Sequence, residues 1–554
     1  MPQCTCCSLP FEISAEELSF LKRITPSFNS RRFEIPAPTH CPDCRLRRRM
    51  IWRNEFRLHR RKSDLSANPI LTFFPPQSRC KVYSPAEWWS DSWEALTYGR
   101  DFDFKRRFFE QFEELLETVP LLGLSVIDNE NSDYINCAGW CKNCYLIAGA
   151  NYNEDCFYGN YINHSRNSVD CNFIDRCELC YECSDCTNCY NLRYSFNSHH
   201  CSDSVFLHNC RNCRNCFGCV NLVGKEFYLF NKKFSAAEYQ AQVVKSAIGT
   251  RSGVHAAAAL FEEHRLQFPY RFMLGEHNEN ISGSSIHHSK NAYSCFDVNE
   301  VEDCRHCIWL NKARDCMDVY SWGFSGELLY ECIEAGGNSY QTLFSATTSN
   351  SRDVYYSYLT VNSHDIFGCV GVQRKEYCIL NKQYSKSEYE DLASKIVEHM
   401  QHHGEWGEFF PMRLSRLPYN STIAQDYFPL ERAAAEALGA YWVEVEDRQA
   451  SGEFAVPDNI DECDESICDK VLSCSSSNRA YRIAKPEFSF YKNNRIPVPD
   501  RCFIERHSHR VRRRTPRQLW SRECAQCREM LLSPYNPQRP EVIYCDRCYL
   551  QAIY

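Results

Sequence analysis

The middle of the chain is built from short hydrophobic pieces set among polar residues. Between residues 131 and 245, NCYLI, DCFYGNYI, CNFI, NCYNL, SVFLHN and EFYLFN recur roughly every 9 to 16 residues, interleaved with Asn, Asp, Ser and Cys and unbroken by proline. Strand-sized units at a near-regular interval predict the stacked rungs of a parallel β-solenoid, with small side chains and Asn forming ladders. A sandwich of short antiparallel strands is the alternative arrangement. The pattern turns helical at the flanks. QAQVVKSAIGT follows FNKKFSAAEY, and EDLASKIVEHMQHHGEW follows LNKQYSKSEY, each opened by a Ser that starts a capping pattern. Trp88 to Val119, with DFDFKRRFFEQFEELLETV, predicts an amphipathic helix whose aromatics face a core.

Residues 131–245 and 280–395 are copies. CFGCVNLVGKEFYLFNKKFSAAEY matches IFGCVGVQRKEYCILNKQYSKSEY at an offset of 150, which shortens to 148 further back, where Lys142, Asn143 and Tyr145 align with Lys290, Asn291 and Tyr293. The ends are copies too. FEISAEELSFLK matches YRIAKPEFSFYK at an offset of 470, and after a nine-residue deletion the offset is 461, setting Cys41 on Cys502, Cys44 on Glu505 and Arg53 on Arg514. The same offset puts Ser63, Ser66, Ser84 and Glu87 where the other end has Cys524, Cys527, Cys545 and Cys548. The predicted organisation is mainly β with α connectors: two tandem Cys-rich β-solenoid-like repeats over 131–245 and 280–395, flanked by related zinc-ribbon modules over 1–95 and 471–554. A connecting helix spans 96–130, a helical linker 246–279, and a helical, aromatic and acidic connector 396–470.

Composition adds one anomaly: 36 cysteines in 554 residues, in a chain otherwise of globular type with 44% hydrophobic and 24% charged residues. No apolar run approaches a membrane span and the start has no signal-type segment, so a cytoplasmic protein without membrane contact is expected, with its thiols reduced. Cys4 and Cys7 with Cys41 and Cys44, and Cys524 and Cys527 with Cys545 and Cys548, are pairs of two-residue-gap knuckles that complete a tetrahedral Cys4 site, giving two structural Zn2+ ions. Cys474 and Cys502, with Glu505, His507 or His509, read as a decayed knuckle rather than a mixed site. Cys177, Cys180, Cys183, Cys186 and Cys189 are spaced three apart and invite an iron–sulfur reading. The second copy opposes it, because Cys144, Cys171, Cys180 and Cys216 correspond to Ala292, Val319, Leu329 and Ile366, so these thiols read as core packing.

The net charge of −8 hides segregation. Nine Lys/Arg face one acid from Arg45 to Lys62, eight Arg face Glu505 alone from Arg501 to Arg522, and ten Asp/Glu lie between Glu444 and Asp469. Arg45, Arg48, Arg49, Arg53, Arg57 and Arg61, and Arg510, Arg513, Arg514 and Arg517, form candidate phosphate-pairing arrays for RNA or DNA, the first set on one helix running through RLRRRMIWRNEFRLHRRK. Internal pairing with acids, for instance those of Glu444 to Asp469, is the competing reading.

CPDCRLRRRMIWRNE, WWSDSW, EWGEFFP, YFPLE and RPEVIYCDRCY together resemble a family of large zinc-ribbon proteins of small-genome, candidate-phylum bacteria. The resemblance spans nearly the whole chain and implies a cytoplasmic zinc-ribbon architecture, with no activity attached. The chain departs from the family's pattern at Ser63, Ser477 and Glu505, where further cysteines are expected. No phosphate-binding glycine loop, dinucleotide fingerprint, nucleophile elbow or HExxH is present, and a Cys4 shell has no open position for substrate. The sequence therefore reads as a non-enzymatic zinc protein that contacts RNA or DNA backbone. A scaffold binding other proteins through the solenoid surface is the alternative, and an enzyme is the least favoured class.

Overall fold

The computed structural model describes residues 1–323, 327–444 and 454–553. Two parallel β-solenoids occupy its centre, the first from Val126 to Leu229 and the second from Gly275 to Ile379. Successive turns of the first pair in register at twelve residues, as Asn136 with Ala148, Asn160 with Asn172 and Ser202 with Arg214. Within a turn, every third residue has a positive φ, for example Cys137, Trp140, Asn143 and Leu146. The residue after each of these, Ala138, Cys141, Cys144 and Ile147, is buried. A turn is therefore a four-sided coil with three residues per side.

This geometry explains the cysteines. The coil is so narrow that its interior takes one side chain of modest size per side, and the apolar core of the first solenoid is fourteen Cys with eight Ile, Leu or Ala. Most of these thiols also donate weakly to two carbonyls, as Cys189 does to Thr187 at 3.3 Å and to Ser198 on the next turn at 3.3 Å. Serine plays the same part, since Ser168 Oγ donates to Arg166 and accepts the Cys180 N–H of the next turn. Burial pushes the Cys183, Cys210 and Cys304 thiols well above their ordinary value, so they stay protonated. At the positive-φ corners, Asn is favoured because it tolerates that backbone region. There it also builds side-chain ladders, as Asn197 to Asn209 at 3.0 Å and Asn209 to Asn221 at 2.8 Å.

In the second solenoid two turns are thirteen residues long, pairing Tyr320 with Ile333 and Ile333 with Ala346. These two single insertions account for the change of repeat offset from 148 to 150. Each solenoid closes with a short antiparallel hairpin, Lys232–Lys233 on the first and Lys382–Gln383 on the second, followed by a helix with a full capping box at Ser235/Glu238 or Ser385/Glu388. The amphipathic segment before the first solenoid is helical only over Phe108–Thr118. The rest of Trp88 to Val119 is shorter turns, because Asp101 and Asp103 and the Lys105–Arg107 run interrupt the apolar stripe. Phe108, Phe109 and Phe112 enter the largest core, which joins the N-terminal module, the second solenoid and the 396–440 connector.

The modules dock in a crossed manner. The N-terminal helix Ala15–Arg23 sets Glu17 3.0 Å from His306 of the second solenoid, and its counterpart Lys485–Asn493 sets Glu487 2.7 Å from the Tyr158 hydroxyl of the first. Each module also adds a strand to the segment entering the other solenoid, Val82–Tyr83 beside Leu121–Leu122 and Ile543–Tyr544 beside Tyr270–Arg271. Tyr161 and Trp309, matched positions of the two repeats, meet with ring centroids 4.3 Å apart. Equivalent residues in mutual contact are the mark of a two-fold relation, here within one chain.

Because inner positions accept any small side chain that fits, Cys186→Ser is expected to leave the unfolding midpoint within a few degrees, whereas Cys186→Asp, which strands a carboxylate in the coil, should prevent folding. Circular dichroism with thermal melts checks this, and equal behaviour of the two variants would refute the account of the coil interior.

Candidate metal centres and arginine clamps

Cys4, Cys7, Cys41 and Cys44 bring their sulfurs within 4.8 Å of one another, as do Cys524, Cys527, Cys545 and Cys548, so each quartet could hold a metal ion. In each, a turn and a helix start supply the two pairs. Cys41 caps the helix Pro42–Met50 and its N–H donates to Cys4 Sγ at 3.3 Å, and the Cys545 N–H donates to Cys524 Sγ at 3.3 Å. The Cys44 thiol, hydrogen-bonded to Cys41, holds that group down at about 5. Burial pushes Cys524 up, but the N–H groups of Cys527, Cys545 and Gln526 outweigh it and bring the thiol to about 6. Their partners go the other way, Cys7 and Cys548 pushed up by burial and Cys44 by its hydrogen bond to Cys41, so each quartet mixes both kinds of thiol, and metal binding requires all four as thiolates. No disulfide forms among the 36 cysteines.

The positions that have lost their cysteines keep the knuckle fold. Ser63 N–H to Asn68 O, Asp64 N–H to Val82 O and Ala67 N–H to Ser63 O repeat the bonds of Cys524, Ala525 and Arg528 at 2.8 to 3.0 Å. In place of four thiolates, Glu87 accepts from Ser63 Oγ at 2.5 Å and from Ser84 Oγ at 2.9 Å. Burial raises the Glu87 carboxyl, but the Ser63, Ser66 and Ser84 hydroxyls and the Ser84 N–H hold it at about 2. At the other relic, the Cys502 N–H still donates to Cys474 Sγ at 3.3 Å, while His507 is buried between Phe56 and Phe503. Among the described residues Cys474, Cys502, Glu505, His507 and His509 do not gather into a metal-sized group.

The arginines take a different place from the one the sequence suggests. The helix bearing the first set ends at Met50, and Arg61 lies on the strand His59–Lys62, so no single helical face carries all six. Arg45, Arg48, Arg49, Arg53 and Arg510 are buried, and Arg57, Arg61, Arg513, Arg514 and Arg517 are half-buried. Arg45 pairs with Asp318, Arg48 with Glu331 at 2.9 Å and Arg53 with Glu334 at 2.6 Å, while Arg49 lies 3.5 Å from Asp318. At the other end Arg506 pairs with Asp170 at 2.8 Å, Arg510 with Asp170 at 3.0 Å and with Glu182 at 2.9 Å, and Arg514 with Asp185 at 2.7 Å. Asp170, Glu182 and Asp185 are the repeat counterparts of Asp318, Glu331 and Glu334. Arg513 pairs with Glu262, Arg517 with Asp297, Arg61 with Asp64, and Arg57 stands 3.7 Å from Asp426.

An array of guanidinium groups open to phosphate is thus replaced by two matched clamps on solenoid corners. The partners are corner acids rather than the Glu444 to Asp469 run, of which residues 445–453 lie outside the described residues. Burial pushes the Glu331 and Glu182 carboxyls up, against the pull of their arginines, while at half-buried Asp297 burial pushes up but Arg514 and Arg517 outweigh it and hold the carboxyl down. Sequence reasoning missed these acids. Their signal was available as Asp and Glu at matched positions of both repeats, one turn apart.

Among the described residues no helix is long and apolar enough to cross a membrane. A scan against protein-family models finds no match, and no curated protein shows significant similarity to the chain.

Breaking a buried pair strands the partner's charge and costs about 3–5 kcal/mol. Asp170→Asn, which leaves Arg506 and Arg510 short of a carboxylate, is expected to lower stability on that scale, and adding Arg506→Met should recover a substantial part. A double-mutant cycle from urea unfolding measures this, and simple additivity of the two changes would show that the clamp is not coupled.

Proposed function

We propose that the protein is a non-enzymatic binding scaffold, stapled by two zinc ions and offering its solenoid surface to protein partners. Zinc is the metal that four thiolates from paired two-residue-gap knuckles select, and a closed Cys4 shell gives it a structural rather than a catalytic role. When bound, the ion fixes each knuckle against its helix. Cys4, Cys7, Cys41 and Cys44 would hold one ion, and Cys524, Cys527, Cys545 and Cys548 the other.

The observation that carries the scaffold reading is a column of exposed rings on the first solenoid. Trp140, Tyr152 and His164 stand one turn apart and stack nearly parallel, with centroids 4.9 and 5.2 Å apart and interplanar angles of 6° and 11°. Trp140 is 44% exposed and Tyr152 52%. A rigid coil that holds large rings outward in a flat row gives up apolar area to a partner without ordering cost, and Trp and Tyr are the side chains that most often anchor protein interfaces. The nucleic-acid reading is weaker, because the ten arginines it relies on lie against carboxylates of the same chain or behind them.

Elemental analysis of the purified protein is expected to give two zinc and no iron per chain, and four or more metals per chain would overturn the packing role of the solenoid thiols. Crosslinking in nuclease-treated extract is expected to recover a constant protein partner that the Trp140→Ala/Tyr152→Ala variant fails to capture. Capture that vanishes on nuclease treatment, or that ignores the substitutions, would refute the reading.

A further inference from the structure

The two halves of the molecule differ in the connector that follows each solenoid. In the second half, the connector after helix Lys386–His402 drives Trp406, Glu408, Phe409 and Phe410 between the solenoid and the N-terminal module. Trp406 packs on Phe344 and Tyr356, with ring centroids 6.5 and 5.8 Å away. Phe410 packs on Trp52 at 5.1 Å. Glu408 lies 3.2 Å from Arg48 and 3.8 Å from His40. In the first half the connector instead forms the helix Arg251–Arg265, and the matching space is a cavity of about 730 Å3.

That cavity is lined by the counterparts of the residues the plug touches. Tyr194 stands for Phe344, Phe206 for Tyr356, Arg501 for His40, His509 for Arg48 and Arg513 for Trp52, and all five line it. Arg512, in place of Ile51, lines it as well. The equivalence is secure in the backbone. Arg45 Nη1 donates to His40 O at 3.0 Å as Arg506 Nη1 does to Arg501 O at 2.8 Å, and Tyr194, Phe344, Phe206 and Tyr356 all have φ between 51° and 56°. So the wall that receives an acidic, aromatic segment in one half is present in the other, and there it carries more arginine.

We infer that this cavity is a docking site for an acidic peptide segment bearing aromatic side chains, contributed by a partner protein. Its volume lies within the roughly 300–1,000 Å3 of known ligand pockets. Eight arginines against five carboxylates line it in a chain whose net charge is −8, so the local field favours an anion over the protein as a whole. Burial first, then Arg513, Arg501, Arg510 and Arg512, push His509 down to about 4, and burial with Arg265 and Arg513 pushes His208 down to about 3. Arg501 and Arg512 are exposed and make no ion pair among the described residues, which leaves them for carboxylates of the incoming segment. Tyr194, half-buried and stacked on Phe206 at 5.0 Å, offers ring surface there, while Phe206 is itself covered by Phe261 of the helix Arg251–Arg265 at 5.6 Å. The site is separate from the aromatic column of Trp140 and Tyr152 and stands or falls apart from it.

The test uses a dye-labelled synthetic peptide with the sequence of residues 404–412, GEWGEFFPM, titrated into the full-length protein at low salt with fluorescence anisotropy as readout. Saturable binding is expected. It should weaken at least tenfold in the Arg501→Glu/Arg512→Glu variant, in His255→Glu on the opposite wall, and when both peptide glutamates become Gln or its Trp and Phe become Ala. The three protein positions are at the surface, and circular dichroism checks that the variants fold. Absence of saturable binding, or binding indifferent to both protein variants, would overturn the assignment. So would ATP binding that the arginine pair controls while the peptide fails to bind, which would give the cavity to a nucleotide.

Discussion

A coil of twelve residues per turn leaves room inside for one small side chain at every third position, and most of the protein follows from that steric limit. Close packing inside so thin a rod excludes large residues, so the hydrophobic driving force comes from Cys, Ala, Ile, Leu and Val in columns, and the remaining inner positions are Ser or Asn bonded to neighbouring backbone, as Ser168 is, and Thr, of which Thr342, Thr348 and Thr360 leave their hydroxyls unpartnered among the described residues. The large side chains are sent outward. Tyr158, Tyr161, Tyr181, Phe206, Tyr320 and Tyr356 sit on the outside of the rod, and covering them requires another layer. The terminal modules and connectors are that layer.

The same limit fixes where charge can go. Carboxylates at Asp170 and Glu182, or Asp318 and Glu331, stand one above the other on adjacent turns, a spacing set by the backbone ladder rather than by flexible side chains. A helix laid across them meets both with arginines three or four residues apart, as Arg506 and Arg510 do, or Arg45, Arg48 and Arg49. Such pairs add little net stability over apolar contacts, because each ion loses its water. What they add is register: a module shifted by one turn leaves buried guanidinium groups without partners. Two related modules therefore find their two related seats without exchanging faces, helped by differences such as Glu17 on His306 against Glu487 on Tyr158.

Much of this was legible in the residues. The tandem duplications, the solenoid, both Cys4 quartets and the use of thiols as small core residues all follow from spacing and from which substitutions the copies tolerate. The twelve-residue period did not, because the three-residue rule places polar Asn and Ser both inside and at corners, which blurs hydrophobic alternation. The arginines misled for a physical reason. A run such as Arg45 to Arg49 looks solvated in one dimension, and only the fold brings Asp318 and Glu331, nearly three hundred residues away, against it. The acids that decide the matter do not stand out in sequence, being single residues in a chain that is a quarter charged.

The two modules show how far a metal-type knuckle depends on its metal. Around Cys524 and around Ser63 the chain makes the same turn with the same backbone bonds, yet one turn is closed by four thiols and the other by three hydroxyls on one carboxylate. A thiolate cluster without an ion is a group of mutually repelling charges, so the Cys4 form is stable only when loaded or protonated. The Ser–Glu form carries one charge, already satisfied by hydrogen bonds, and needs nothing bound. Each module keeps one knuckle of each kind, and they differ in which. The N-terminal module retains its metal-type quartet beside the helix that grips the second solenoid, whereas the C-terminal module retains its quartet beside the strand at Tyr270 that leads into that solenoid. Both intact quartets thus brace the second solenoid, and the first is gripped by a module whose helix-side knuckle has only Cys474 and Cys502 left. The cavity also lies on that side, where arginines stand at positions that face the aromatic connector in the other half.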